Sequence, residues 1–171
     1  MQIESVTQQN AALVEQTAAA ALSFKDSAGA LAQAVSAFKL DQGEAREKAM
    51  ALVRRGIAHM RQHGEQKAFA DFSRKDGGFV QGDYYLIAFD KAGLMLANGG
   101  NPALVGKDQA GQRDADGKPM TMAMIGTALT RGSGWVDYRW ANPRTGKVQR
   151  KSSYAEAAGE YVVACGIYLE D

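Results

Sequence analysis

The sequence predicts an α+β chain: a long amino-terminal helix, then a domain built on a five-stranded antiparallel sheet with flanking helices. Three observations carry this. Apolar and small residues recur at alternating spacings of three and four from Ile3 to Phe38. After "KDGG" at 75–78 the period changes from helical to alternating. Five runs rich in aromatic and β-branched residues then follow, separated by Gly, Asn and Pro turn signals.

The first helix is read from Ile3, Val6, Asn10, Leu13, Thr17, Ala20, Phe24, Ser27, Leu31, Ala34 and Phe38, a heptad seam with no Pro and only Gly29 within it. Such a seam cannot be buried by one helix alone, so a second copy or another helix is expected against it. "KLDQGE" at 39–44 is expected to break this helix at Gly43. A second helix, "EAREKAMALVRRGIAHMRQHG", then places Ala49, Leu52, Val53 and Ile57 on its apolar side and stops at Gly64. "EQKAFADFSR" reads as a short helix that packs Phe69 and Phe72.

"DYYLIAFD" and "LMLANG" are expected to pair as a hairpin about the turn "KAG". After a loop, "DGKPMTMAMIGTALTRG" gives a helix with Pro119 in its first turn and Gly132 as its stop. "GWVDYRWAN", "KVQRKSSYAEA" and "EYVVACGIYLE" supply three further strands. This element order fits an antiparallel sheet with its helices on one side.

Composition narrows the function. Of 171 residues, 46% are hydrophobic and 23% charged, enough apolar material for a core. The net charge of +1 gives no field that would gather nucleic acid or an anionic membrane. No apolar run is long enough to span a bilayer, and "MQIESV" has no signal-peptide pattern. The single cysteine, Cys165, excludes an intrachain disulfide and reads as a small buried hydrophobe. His59 and His63 stand four apart on a helix, but no third ligand accompanies them. Asp114, Asp116 and Gly117 lack the rest of a calcium loop. No metal or cofactor is expected. No nucleophile and base are spaced for catalysis, so an enzyme is not expected either.

"NAALVEQTAAAA" and "LAQAVSAFKL" resemble the carboxy-terminal end of the signalling helix of methyl-accepting chemotaxis proteins. Ala11, Ala12, Glu15, Gln16, Ala19 and Ala20 fill the small and Glu/Gln places of that family's adaptation site. The resemblance implies that Glu15 and Gln16 are modification positions, served by a chemoreceptor methyltransferase and a deamidase/methylesterase. It also implies a homodimer through the long helix. Removing a carboxylate charge there would relieve repulsion between packed helices. The family's kinase-coupling tip is not in this sequence, so the chain is expected to be the carboxy-terminal part of a longer receptor.

The rest of the chain, through "DYYLIAFDKAGLMLAN", "NPALVGKD", "DADGKPM", "GSGWVDYRWANPRTGKV", "KSSY" and "GIY", is similar to single Cache domains. That resemblance implies a PAS-like sheet preceded by a long helix, and a small organic acid such as acetate, propionate, pyruvate or lactate as ligand. Where many members of the family carry His-Pro after the second strand, this chain has Asn98 and Gly99, so ligand identity does not carry over. The expected division is a signalling helix over 1–40 and a sensor domain over 41–171. With no membrane span between them, both would be cytoplasmic.

Alternation places Tyr138 and Trp140 on one face of their strand and Trp135 and Arg139 on the other. Aromatic walls and one cation suit a small amphipathic anion. Lys151 and Tyr154 are the leading polar candidates, with Tyr85 and Asn98 behind them and Arg139 read as a surface charge. Lys151 and Tyr154 are three residues apart and share a face only across a bulge. Met120, Met122 and Met124 either line a pocket or fill the core. Two other readings stand beside the carboxylate sensor: a ligand-free dimerisation or docking module, and a haem- or nucleotide-holding PAS-like domain. The absence of a histidine near the sheet motifs speaks against haem.

Overall fold

The structure, a computed structural model, describes the backbone of residues 2–169 and the side chains of residues 10, 13–35 and 41–169. The elements are α1 (Gln2–His63), α2 (Glu65–Ser73), β1 (Val80–Gln81), β2 (Tyr84–Asp90), β3 (Met95–Asn98), α3 (Met120–Arg131), β4 (Ser133–Ala141), β5 (Val148–Ala158) and β6 (Tyr161–Leu169), with a 3-10 turn at Pro102–Leu104. The chain divides into two units, Met1–Glu44 and Ala45–Asp171.

The first unit is helical throughout its described length. Leu13, Phe24 and Leu31 of the expected seam are 57%, 77% and 66% exposed. The side chains of Ile3, Val6, Ala11, Ala12 and Phe38 lie outside the described residues.

The expected break at 39–44 does not occur: α1 continues to His63. Gly43 keeps a helical backbone without a positive φ. A glycine inside a helix costs only about 1 kcal/mol, which the flanking turns absorb. Gly64 does stop the helix, with φ 82° and its N–H on the Met60 carbonyl. Only glycine adopts that conformation without strain.

In the second unit the sheet runs β1-β2-β6-β5-β4, with β3 also paired to β2, and every pairing described is antiparallel. The five expected strands are all present. A sixth, two-residue β1, joins β2 through the tight turn at Gly82, whose φ is 62°. The helices do not share one side of the sheet, as the element order suggested. Ala49, Leu52, Val53 and Ile57 of α1 and Ala68 and Phe72 of α2 pack with Leu86, Ala88, Val163 and Cys165 on one face. Met120, Met124, Ile125 and Ala128 of α3 pack with Ile87, Phe89, Tyr138, Val162 and Ala164 on the other.

The correction follows from β2 and β6, whose neighbouring residues are buried alternately in both clusters, so each face needs its own helical cover. Met120 and Met124 are core residues one helical turn apart, while Met122 is 39% exposed. Met120 and Met124 thus fill the core, as one of the two readings expected, while Met122 does neither because the helical period turns it outward.

The free edge of β4 is covered by the loop before α3. Asp114 accepts the N–H of Arg139 at 3.0 Å and those of Asp116 and Lys118 at 2.9 and 2.8 Å. Burial works to raise its carboxyl, but these three donors outweigh it and hold Asp114 below the ordinary carboxylate range. The Lys118 amine donates to the Asp137 carbonyl on the same edge. The cluster that looked like the start of a cation loop thus blocks further strand pairing.

Phe72 is fully buried and meets Phe79 edge to face at 4.8 Å. Phe72→Ala is expected to cost about 3–5 kcal/mol of unfolding free energy. Urea denaturation checks this, and a loss under about 1 kcal/mol would show that α2 is not anchored through this ring.

Candidate functional site

The register of β2, β6 and β5 builds one polar cluster on the α3 face. Lys151 of β5 lies opposite Tyr168 of β6, and Leu86 of β2 lies opposite Cys165, which sets Tyr85 beside Gly166. A Cβ on Gly166 would stand 2.1 Å from Lys151 Cε and 2.5 Å from Ser153 Oγ. Glycine is therefore what lets the lysine stem lie across β6. Its amine donates to Tyr85 Oη at 2.5 Å and to Tyr168 Oη at 3.1 Å. It sits 4.2 and 4.4 Å from the centroids of those two rings. Tyr138 Oη and Ser153 Oγ, 2.8 Å apart, extend the polar floor.

Lys151 is only 2% exposed, and among the described residues no carboxylate lies within ion-pair distance of it. Burial pushes its amine down to about 7, against weaker upward pulls from Cys165 and Asp83. Burial raises the Tyr85, Tyr138 and Tyr168 hydroxyls above their ordinary range, so all three stay protonated. Cys165 is likewise pushed up to about 12 by burial, which makes it an inert thiol. The cluster is thus one cation on two π faces, ringed by neutral hydroxyls, with no resident anion. Such a constellation can bind an anion.

Tyr85 is also the wall of a small cavity of about 150 Å³, lined besides by Lys75, Val80, Gly82, Asp83, Gly99, Gly100, Pro143 and Arg144. Gly100 lies flat on the Tyr85 ring, where a Cβ would come within 2.6 Å of Cζ. A larger, open groove of about 560 Å³ borders Tyr138 and Lys151 together with Asp114, Asp116, Lys118, Asp137, Arg139, Arg150 and Leu169. Its walls carry four cations, Lys151 included, against three carboxylates.

The structure brings together Tyr85, Tyr138, Lys151 and, half-buried at the edge of the same cluster, Trp140. It does not bring in Trp135 or Tyr154. The β4–β5 register runs without a bulge, so Tyr154 faces away from Lys151 and pairs with Trp135 at 5.5 Å between ring centroids. Arg46 of α1 lies 4.5 Å over the Trp135 ring, and the Tyr154 hydroxyl donates to Glu156. Asn98 organises a loop: its Oδ1 accepts from the N–H groups of Gly100 and Asn101 at 3.0 and 2.8 Å. It therefore acts on the site through the glycine that covers Tyr85.

Tyr168 was not anticipated, although "GIY" was singled out, because its partnership with Lys151 exists only in the β5–β6 register. His59 meets Asp71 at 2.8 Å, and among the described residues no group of three metal-ligating side chains gathers. The side chains of Glu15 and Gln16 are exposed on α1. No helix among the described residues is long and apolar enough to cross a membrane.

The sheet is covered by helices on both faces, with the Lys151 cluster on one of them, an architecture that matches Cache and PAS-like domains. The single Cache domain 2 family model matches residues 6–171, and the chain belongs to that family. No curated protein matches it. Among solved structures it is similar to a methyl-accepting chemotaxis protein from Vibrio parahaemolyticus RIMD 2210633, at 21% identity and TM-score 0.69 over 80% of this chain and 97% of that one. It also resembles the periplasmic sensor domain of a chemotaxis protein, at 27% identity and TM-score 0.59 over 77% and 98% of the two chains. A Cache chemosensory domain that recognises carboxylic acid aligns at 23% identity and TM-score 0.63, over 76% and 97%.

The lysine sets a pH dependence. In the unfolded chain Lys151 titrates near 10.5, and in the fold at about 7. Between those values the unfolded state binds more protons, so this residue's contribution makes stability rise with pH from about 7 to 10.5 and leaves it level below. Lys151→Met is expected to be more stable than the parent at pH 6, with the gap closing as the pH approaches 10. Paired urea melts across that range check this; a gap that stays constant would mean that Lys151 is charged in the fold throughout.

Proposed function

We propose that this chain is the ligand-sensing part of a bacterial chemoreceptor, binding a small organic acid such as acetate, propionate, pyruvate or lactate. The observation that carries the reading is Lys151, a buried cation with hydroxyl and aromatic neighbours but no carboxylate partner. An unpaired buried charge is costly, and an entering carboxylate supplies the missing counter-ion. Tyr85 and Tyr168 then turn their O–H groups to the anion, Tyr138 donates from the floor, and the rings exclude water. Trp140 closes the edge. The carboxylic acid recognised by one neighbouring Cache domain supports the same ligand class.

The signal would leave through β5. Its residues alternate between the ligand face and the face where Trp135 and Tyr154 meet Arg46 of α1. A ligand that favours one placement of β5 shifts α1 by its difference in affinity for the two placements. In this reading residues 1–40 are the end of a signalling helix and 41–171 the sensor. The helix pairs with a second copy through its exposed seam, and exposed Glu15 and Gln16 are open to a methyltransferase and a deamidase/methylesterase. The sensor is placed in the cytoplasm, attached to a longer receptor; the periplasmic location of one neighbour supports the opposite side. The exposed seam also favours a second reading, a ligand-free dimerisation or docking module.

Calorimetric titration of the full chain with formate, acetate, propionate, pyruvate and lactate separates the two. Saturable binding is expected for at least one acid, weakened about 30-fold or more in Lys151→Met. Because the bound anion holds the proton on Lys151, affinity is expected to fall as the pH rises above about 7, with proton uptake visible as a buffer-dependent heat. No binding of any acid, or binding unchanged in the variant, rejects the carboxylate site.

A further inference from the structure

The hydrogen bonds of Lys151 serve a neutral amine as well as a charged one. The residue is 2% exposed, and among the described residues no carboxylate lies within ion-pair distance of it. Its amine donates only to phenol oxygens, Tyr85 at 2.5 Å and Tyr168 at 3.1 Å. Nothing in the cluster obliges the proton to stay, and burial pushes the amine down to about 7. An amine that gives up its proton near neutral pH is a nucleophile, which an exposed, charged lysine is not.

The groups around the amine leave this chemistry open. Tyr85 on β2, Tyr138 on β4, and Tyr168 and Cys165 on β6 stay protonated and uncharged. α3, packed over this face, has no titratable side chain before Arg131 in its last turn. Asp83 acts on the amine only through its field, and it stands 3.4 Å from Arg144. In the groove that Lys151 borders, Lys118, Arg139 and Arg150 face Asp114, Asp116 and Asp137.

Such surroundings suit a small anion carried on the lysine itself. Tyr85 Oη and Tyr168 Oη are 3.2 Å apart. Tyr138 lies directly opposite Lys151 in the β4–β5 register, and its hydroxyl meets Ser153 at 2.8 Å. A hydroxyl that accepts from an amine can rotate and donate to an anion. With so little of Lys151 at the groove, the reagent has to be small and uncharged. Carbon dioxide meets both conditions.

We propose that Lys151 is a modification site that takes up carbon dioxide reversibly as a carbamate, held by the hydroxyls of Tyr85, Tyr138, Tyr168 and Ser153. The Nζ lone pair forms a bond to the carbon of carbon dioxide while one C=O π pair moves onto oxygen. The nitrogen then loses a proton to water, and the product is a carbamate anion with no change of oxidation state. Expulsion of carbon dioxide reverses both steps. The cation of the cluster becomes an anion, so an organic acid and carbon dioxide exclude each other at this residue. The inference needs only the amine and stands whether or not an acid binds.

The test equilibrates the full chain, with ¹⁵N in its lysine amines, with ¹³C-labelled carbon dioxide at constant pressure. One carbamate resonance split by ¹⁵N is expected, stronger above a pH of about 7 than below it, because only the unprotonated amine reacts. Trapping with an alkyl oxonium salt and mapping the peptides by mass is expected to place the carbamate on Lys151. Lys151→Met is expected to lose the resonance. Tyr168→Phe removes a donor to the anion and is expected to lower the carbamate equilibrium constant at least about tenfold.

No carbamate on Lys151 in the parent chain overturns the inference. So does a label spread equally over exposed lysines and the amino terminus, or a bound carbon signal without ¹⁵N splitting, which is bicarbonate beside the ammonium. An unchanged carbamate in Tyr168→Phe overturns the holding role of the hydroxyls. Peptide mapping is made on the parent, so the result stands even if Lys151→Met does not fold. Failure of every organic acid to bind in calorimetry rejects the carboxylate site and leaves this result untouched.

Discussion

The burial of the Lys151 ammonium between two tyrosines is the constraint on which the rest of the site depends. A cation taken out of water has to be compensated, and here two ring faces and two hydroxyl oxygens do so in place of a carboxylate. That arrangement leaves the positive charge oriented and unspent. It also dictates the local sequence: Gly166 has to lack a side chain for the lysine stem to pass, and Gly100 has to lie flat on Tyr85. Asn98, which looked like a pocket contact, serves the second of these by holding the loop that carries Gly100.

The lysine stands in a sheet that is buried on both faces. β5 carries Lys151 and Ser153 toward the polar cluster and Ser152 and Tyr154 toward α1. With helices packed on each side, neither face is free to relax alone, because close-packed interiors transmit displacement instead of absorbing it. Tyr85 and Tyr168 lie with one core cluster, and Arg46 rests on Trp135 beside the other. The edge of β4 is covered by Asp114 and Lys118.

Much of the fold was legible in the residues. The five main strands, α2, α3 and the stop at Gly64 follow from period, turn chemistry and one glycine with a positive φ. Gly43 misled because a helix tolerates glycine when its neighbours hold the ladder. The one-sided placement of helices misled because burial of both faces of β2 is not visible in a short apolar run. Within the site, Lys151, Tyr85 and Tyr138 were identifiable as an aromatic and cationic set. Trp135 and Tyr154 joined them on paper only, since the strand has no bulge to turn Tyr154 around.

By itself the sequence determined which residues form helices and strands, which side chains alternate to which face, and which apolar residues are available for a core. These are local properties, set by backbone sterics and by side-chain periods of 3.6 and 2. Only the tertiary structure decided that β6 lies between β2 and β5, and hence that Tyr85, Lys151 and Tyr168 meet. Strand order and register are non-local: they are chosen by what both faces bury together. A cation opposite a tyrosine on another strand leaves no mark in either segment read alone.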